Sequence, residues 1–368
     1  MISSKGRGNP RLCGAGDGAV FFDNFSDRSP TLRNLTATLL GIAFTAGASA
    51  WEPLPPTPPV PEDNPMTAEK VELGKQLFFD PRFSATGTVS CNTCHNLMLG
   101  GDDGRPTSMG VHGLTGPRNA PTVWNAAFHP SQFWDGRAAS LEAQARGPVV
   151  AEVEMGMKDL DRAIARVRAI PGYRDAFARV FGGEQPVTVD NAAKAVAAFE
   201  RTLVTANSPY DRWAAGDKTA LSPQQVRGLE KFAALGCTGC HQPPAFSGPR
   251  KPNGHFAVFP FNDGPYVDRY RLRDDIGRMA VSGRESDRHK YKIPTLRNVA
   301  LTAPYFHNGR VATLDEAVRV MAAAQLNVEP PADDVADIVA FLQALTGEFP
   351  ALTLPRLPAT PGVSLIDP

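Results

Sequence analysis

Two short motifs constrain this chain more than anything else in its 368 residues. They are Cys91-Asn92-Thr93-Cys94-His95 and Cys237-Thr238-Gly239-Cys240-His241, both C-x-x-C-H. With 5 Cys and 7 His in the chain, chance predicts on the order of 0.001 such motifs. The pattern is that of covalent c-type haem attachment. Two sulfurs add across the porphyrin vinyl groups, and the adjacent imidazole reaches the iron. The spacing puts all three on one face of a helical turn. A structural zinc site built from the two C-x-x-C pairs leaves both histidines without a role. A thioredoxin-like redox pair calls for a βαβ context, and no such pattern is present.

A second repeat follows each motif. Pro121-Thr122-Val123-Trp124-Asn125 matches Pro294-Thr295-Leu296-Arg297-Asn298. Phe133, Gly136, Arg137, Ala139 and Leu141 match Phe306, Gly309, Arg310, Ala312 and Leu314, at a constant offset. The expected fold is therefore mainly α: two related helical haem units in tandem, residues 66–207 and 208–348, each with one covalent c-type haem. Apolar periodicity predicts helices over 67–79 and 190–204, after the Ser222-Pro223-Gln224-Gln225 capping box, and over 335–345 with Gly347 as its stop.

The N-terminus reads as an address. Arg33, the apolar run Leu35–Ala46 and Ala48-Ser49-Ala50 form a secretory signal, so residues 1–50 are expected to be removed by cleavage near Ala50. The apolar run is too short for a stable membrane span. Cleavage also removes Cys13 and leaves 33 basic against 35 acidic residues. That balance argues against nucleic acid as a partner. Residues 51–65 hold seven prolines and predict an extended, semi-rigid leader. Residues 349–368 form a C-terminal tail.

Function turns on the sixth position of each iron, since two strong ligands make an electron carrier and an exchangeable one permits peroxide chemistry. At the second motif Met321, in a helical MAAAQL stretch, competes with Met279, His255 and His289. At the first, His112 lies in a glycine-rich loop over 100–116 that few packed side chains would hold; Met109 and His129 are alternatives. Peroxide cleavage needs a proton shuttle, for which Glu152, Glu154 and Asp135 are candidates. Trp134 and Trp124 are candidates for carrying an electron. Each of these also has an ordinary structural reading, as a core methionine, a surface histidine, a solvated carboxylate or a packed indole.

The segments LGKQLFFDPRFS, GPRNAPTVWNAAF, SQFWDGRA, GPVVAEVEM, RTLVT, PTLRNVALTAPYFHNG and VMAAAQL together resemble the bacterial di-haem cytochrome c peroxidase family, from about Leu73 to Gly347. The resemblance implies two cytochrome c-like domains with Ca2+ between them. It implies that His112 is the displaceable ligand of the peroxidatic haem and Glu154 the acid/base. Trp134 would lie between the haems, and Met321 would be the sixth ligand of the electron-transfer haem, with His307 close by. Asn119, Thr302 and Pro304 match the calcium positions, the last two through backbone carbonyls. The implied activity is reduction of hydrogen peroxide in the periplasm, with electrons from a small cytochrome c or cupredoxin, by a homodimer. A di-haem electron carrier or redox sensor is one other reading. A MauG-like protein-modifying oxidase is another, although those enzymes carry tyrosine where this chain has Met321.

Overall fold

Four long helices set the frame, and each has a local reason to begin where it does. Helix α1 (Ala68–Phe79) starts at Thr67, whose hydroxyl accepts from the Lys70 N–H. Helix α2 (Val189–Glu200) starts in the same way at Thr188. Helix α3 (Pro223–Ala234) begins with the expected Ser222/Gln225 capping box and proline in its first turn. Helix α4 (Ala332–Gln343) follows Pro331. The computed structural model describes residues 51–249 and 254–366, so the expected signal segment and Cys13 lie outside the described residues. The protein is mainly helical. Phe256–Val258 and Lys290–Lys292 form a two-stranded antiparallel ladder.

The helices pair as α1 on α2 and α3 on α4, and the two pairs are built alike. A Cβ added at Gly74 would lie 1.8 Å from the Ala195 carbonyl oxygen; one at Gly228 would lie 1.9 Å from that of Asp337. Only glycine lets the backbones approach this closely. Below each crossing two phenylalanines meet, Phe78 with Phe199 at 5.3 Å and Phe232 with Phe341 at 5.4 Å between ring centroids.

The duplicated block repeats its backbone as well as its sequence. Asn125 and Asn298 have φ of 63° and 60°, Phe133 and Phe306 68° and 70°, Gly136 and Gly309 63° and 60°. Single antiparallel bridges recur at Gln132/Ala138 and Tyr305/Val311. The Asn125 N–H donates to the Leu203 carbonyl, and the Asn298 N–H to that of Leu345. Asn125 Oδ1 accepts from the Thr205 N–H, and Asn298 Oδ1 from the Gly347 N–H. These bonds align the ends of α2 and α4 residue by residue, with Glu200 opposite Leu342.

Several expectations are corrected in detail. Helix α2 stops at Glu200 rather than 204, because Leu203 and Thr205 turn their backbones to Asn125. Helix α4 stops at Gln343, four residues before Gly347. The residues after Met321 form a π turn, Ala322–Leu326, following helix Leu314–Met321. The proline-rich segment is extended but docked: Leu54 is buried and its N–H donates to Asp211. Asn64 is also buried, bonded to Glu142 and to the Lys70 ammonium. The tail runs back over the first copy, with Phe349 edge-on to Trp124 at 4.8 Å and the Pro358 carbonyl accepting from Arg82.

Candidate functional site

Each C-x-x-C-H segment folds into one helical turn. At the first, Cys91–Cys94 is a turn of α-helix with Ser90 and Thr93 forming a capping box. The His95 N–H donates to the Cys91 carbonyl at 2.9 Å, and the His241 N–H donates to that of Cys237 at 2.9 Å. Residues three apart share a helix face, so each cysteine pair and its histidine point the same way. All four thiols are free. Burial pushes Cys91 up to about 12, and Cys94 and Cys237 to about 11. Among the described residues no three His, Cys, Asp or Glu side chains gather as a metal cluster.

The imidazoles are prepared for iron. Burial lowers the pKa of both, so each is neutral near pH 7. His241 Nδ1 donates to the Phe246 carbonyl at 3.0 Å, which leaves Nε2 with its lone pair available. His95 Nδ1 is buried without a hydrogen-bond partner. Beside the first motif lies a cavity of about 1230 Å³ lined by Cys94, His95, Trp134, Glu154 and Glu200, among others. Free paired thiols, neutral buried imidazoles and a large adjoining space fit a covalent haem.

The structure separates the acid/base candidates. Glu154 lines the cavity, and burial raises its pKa; Arg137 acts weakly in the opposite direction. Glu152 is exposed. Asp135 is buried and held by Arg118 at 2.6 Å and Arg137 at 2.9 Å, so its carboxylate is engaged in structure. Trp134 lines the same cavity as Glu154; its indole N–H donates to the Asn119 carbonyl at 2.9 Å, and its own carbonyl accepts from the Lys292 N–H at 2.7 Å. Trp124 is fully buried away from that wall, under Phe349.

His112 is exposed, with φ of 57°, a left-handed conformation rare for a side-chain-bearing residue. Val111 is buried and its N–H donates to the Glu154 carbonyl at 2.8 Å. Met109 is exposed and His129 half-buried. Met321 is half-buried in the apolar cluster that includes Trp134, Phe306 and Tyr291. Of its rivals, His255 bonds Ser131 at 3.0 Å, His289 donates to the Asp275 carbonyl at 2.9 Å, and Met279 opens a short helix.

Asn119 and Pro304 line the cavity, and Thr302 is two residues away in the chain. Neither the Thr302 nor the Pro304 carbonyl accepts a hydrogen bond among the described residues. His307 also lines the cavity, stacked on Tyr291 at 4.4 Å, and burial pushes it down to about 4. Sequence reasoning missed Gln144 and Glu200, two further polar residues of the lining. Glu200 falls on the inward face of an alanine-rich helix, and that placement was its one available signal.

Residues 68–219 match the family described as di-haem cytochrome c peroxidase. The cytochrome c551 peroxidase of Nitrosomonas europaea is 44% identical over 329 residues, which cover 89% of this chain and 95% of that one. The cytochrome c551 peroxidase of Pseudomonas aeruginosa is 45% identical over 310 residues, covering 82% of this chain and 87% of that one. The fold is also similar to the crystal structure of a MauG-like protein associated with microbial copper homeostasis. That likeness has a TM-score of 0.70 and 31% identity, and covers 80% of this chain and 95% of the other.

Proposed function

Because the chain belongs to the di-haem cytochrome c peroxidase family, we propose that it reduces hydrogen peroxide, taking two electrons and two protons to give two waters. Cys91 and Cys94 carry one haem and Cys237 and Cys240 the other. His95 and an exchangeable His112 would hold the first iron, and His241 and Met321 the second. When bound, the haems supply an iron that activates peroxide and a second centre that stores an electron. Glu154 takes a proton from one peroxide oxygen and returns it to the other, as a general base and then a general acid. Burial, which raises its pKa, suits it to both halves of that task. His112 is exposed and outside the cavity lining here, so reaching the iron would take a change in its loop, and the positive φ there is the kind of backbone strain that marks switching segments. Trp134 lies on the electron route. Ca2+, held by the Asn119 side chain and the Thr302 and Pro304 carbonyls, fixes the cavity wall.

The electron donor is a small cytochrome c or cupredoxin, and the working form is a homodimer. The enzyme works in the periplasm after cleavage near Ala50. No helix among the described residues is long and apolar enough to cross a membrane.

The observation that carries this reading is the shared cavity of His95, Glu154 and Trp134. Glu154→Gln tests it. Haem loading should persist while peroxide turnover falls about a hundredfold or more, the usual loss when an acid/base group is removed. Undiminished turnover would remove Glu154 from the mechanism.

A further inference from the structure

We propose that Glu200 is a second acid of the first cavity, one that donates a hydrogen bond to the bound oxidant or to an anion standing in for it. The proposal rests on the peroxidase reading for the presence of haem and deepens it by naming a group that recognises the ligand.

Glu200 ends α2, is 5% exposed and lines the cavity with His95 and Glu154. Its Oε2 is buried without a hydrogen-bond partner among the described residues. Its neighbour in sequence, Arg201, is the natural counter-ion, but that guanidinium is already engaged. It donates to both oxygens of Glu142, at 2.7 and 3.2 Å. Glu142 is fixed in turn by Asn64, which bonds the Lys70 ammonium.

A buried carboxylate without donors is costly, so the fold must gain something by keeping an acid here. The second copy shows that the architecture does not require one. The Asn125–Leu203 and Asn298–Leu345 bonds put Leu342 at the equivalent place, and it too is buried. The second copy has a leucine here, and the first has an acid that lines the cavity with His95.

The groups acting on Glu200 explain its state. Burial is the largest influence and raises its pKa to about 8. Arg201 lowers it and Glu142 raises it; the thiol of Cys91 feels both Glu200 and Glu154. At neutral pH the side chain is a carboxylic acid, a donor as well as an acceptor. Glu154, whose carboxyl must exchange protons with the substrate, shares the cavity with a group that holds its proton. An oxygen that develops negative charge in the cavity receives the Glu200 O–H.

The test uses the haem-loaded protein, reduced by one electron, with fluoride as probe and the Soret band as readout. Glu200→Leu should weaken fluoride binding about tenfold, as expected for a lost hydrogen bond to a charged group, and Glu200→Gln, which keeps an N–H donor, by no more than about threefold. Infrared difference spectra on fluoride addition should show a carboxylic-acid carbonyl band that shifts in the wild type. The band should be absent from Glu200→Gln and retained in Glu154→Gln. Wild-type fluoride affinity in Glu200→Leu, or an unaltered band in Glu200→Gln, would overturn the proposal. If Glu200→Leu does not fold, the infrared comparison with Glu200→Gln decides alone. Loss of the peroxidase reading has a different signature, namely haem-loaded protein that binds fluoride as described and leaves peroxide untouched.

Discussion

Trp134 and His307 occupy the same place in the two copies and meet edge to face, with ring centroids 6.4 Å apart. One residue ties them together. The Asn119 carbonyl accepts from the Trp134 indole, and the Asn119 N–H donates to the His307 carbonyl at 2.8 Å. A duplication has thus placed an indole and an imidazole at one junction, on the wall of the first cavity. Trp134→Ala removes the indole at that junction. Transfer of an electron from the second haem to the first should slow by about tenfold or more, equivalent to about 1.4 kcal/mol of barrier, while haem content is unchanged. Rapid-mixing spectra of the one-electron-reduced protein with peroxide measure that step. An unaltered rate would place the route elsewhere.

The helix crossings make a second prediction. At Gly74 and Gly228 a methyl group would meet a backbone carbonyl that belongs to the partner helix and has no flexible end to move. Gly74→Ala or Gly228→Ala must therefore separate the helices, at about 2–3 kcal/mol or more by the usual cost of overpacking. Thermal unfolding should drop by at least about 5 °C in each variant. An unshifted midpoint would mean that the crossings are looser than the structure shows.

Acid stability should depend on Glu142. Burial alone would raise its pKa, but the Arg201 guanidinium and the Asn64 amide overcome that and hold the carboxyl at about 2. The folded value lies below the unfolded one, so the stabilisation is complete above about pH 4.5 and is lost as the pH falls towards 2. The fall from about 4.5 to about 2 is worth at most about 3.5 kcal/mol at about 1.4 per pKa unit, and solvent screening of this partly exposed group brings it to roughly 2–3. Glu142→Gln should flatten the loss of stability between pH 5 and 2 in urea titrations. Glu200 runs the other way: its folded value of about 8 makes stability decline as pH rises from about 4.5 to 8. Glu200→Gln should therefore be the more stable protein at pH 9, and parallel curves for the two variants would contradict this assignment.

What the sequence made legible follows from how local each signal is. A C-x-x-C-H turn is complete within five residues, and the repeated block keeps its spacing, so the motifs and the duplication are readable without coordinates. The Ser222 cap is equally local. Glu200 was not legible, because an acid at the end of an alanine-rich helix looks like any solvated carboxylate. Its character depends on Glu142, far away in sequence, taking Arg201 from it. The docked leader is similar: Leu54 and Asn64 are fixed by Asp211 and Glu142, and no proline pattern names those partners. Glycine count likewise does not reveal the tie next to His112, where the buried Val111 bonds the Glu154 carbonyl through its N–H.

Thr205 offers the sharpest test that the two copies stand as one body. Its hydroxyl accepts from the Asn125 amide and from the Asn298 amide, both at 2.8 Å, one from each copy, and all three side chains are buried. Thr205→Val keeps the shape and removes the shared acceptor, so two buried amide donors lose their partner together. Each unsatisfied buried donor costs about 1–3 kcal/mol, and the loss falls on both copies at once. Urea unfolding followed separately at the two haem bands should show both transitions moving to lower denaturant in parallel. Thr205→Ser, which restores the hydroxyl and lacks only a methyl group, should recover most of the loss. A shift in one haem band alone would show that Thr205 braces one copy and that the junction is made by other contacts.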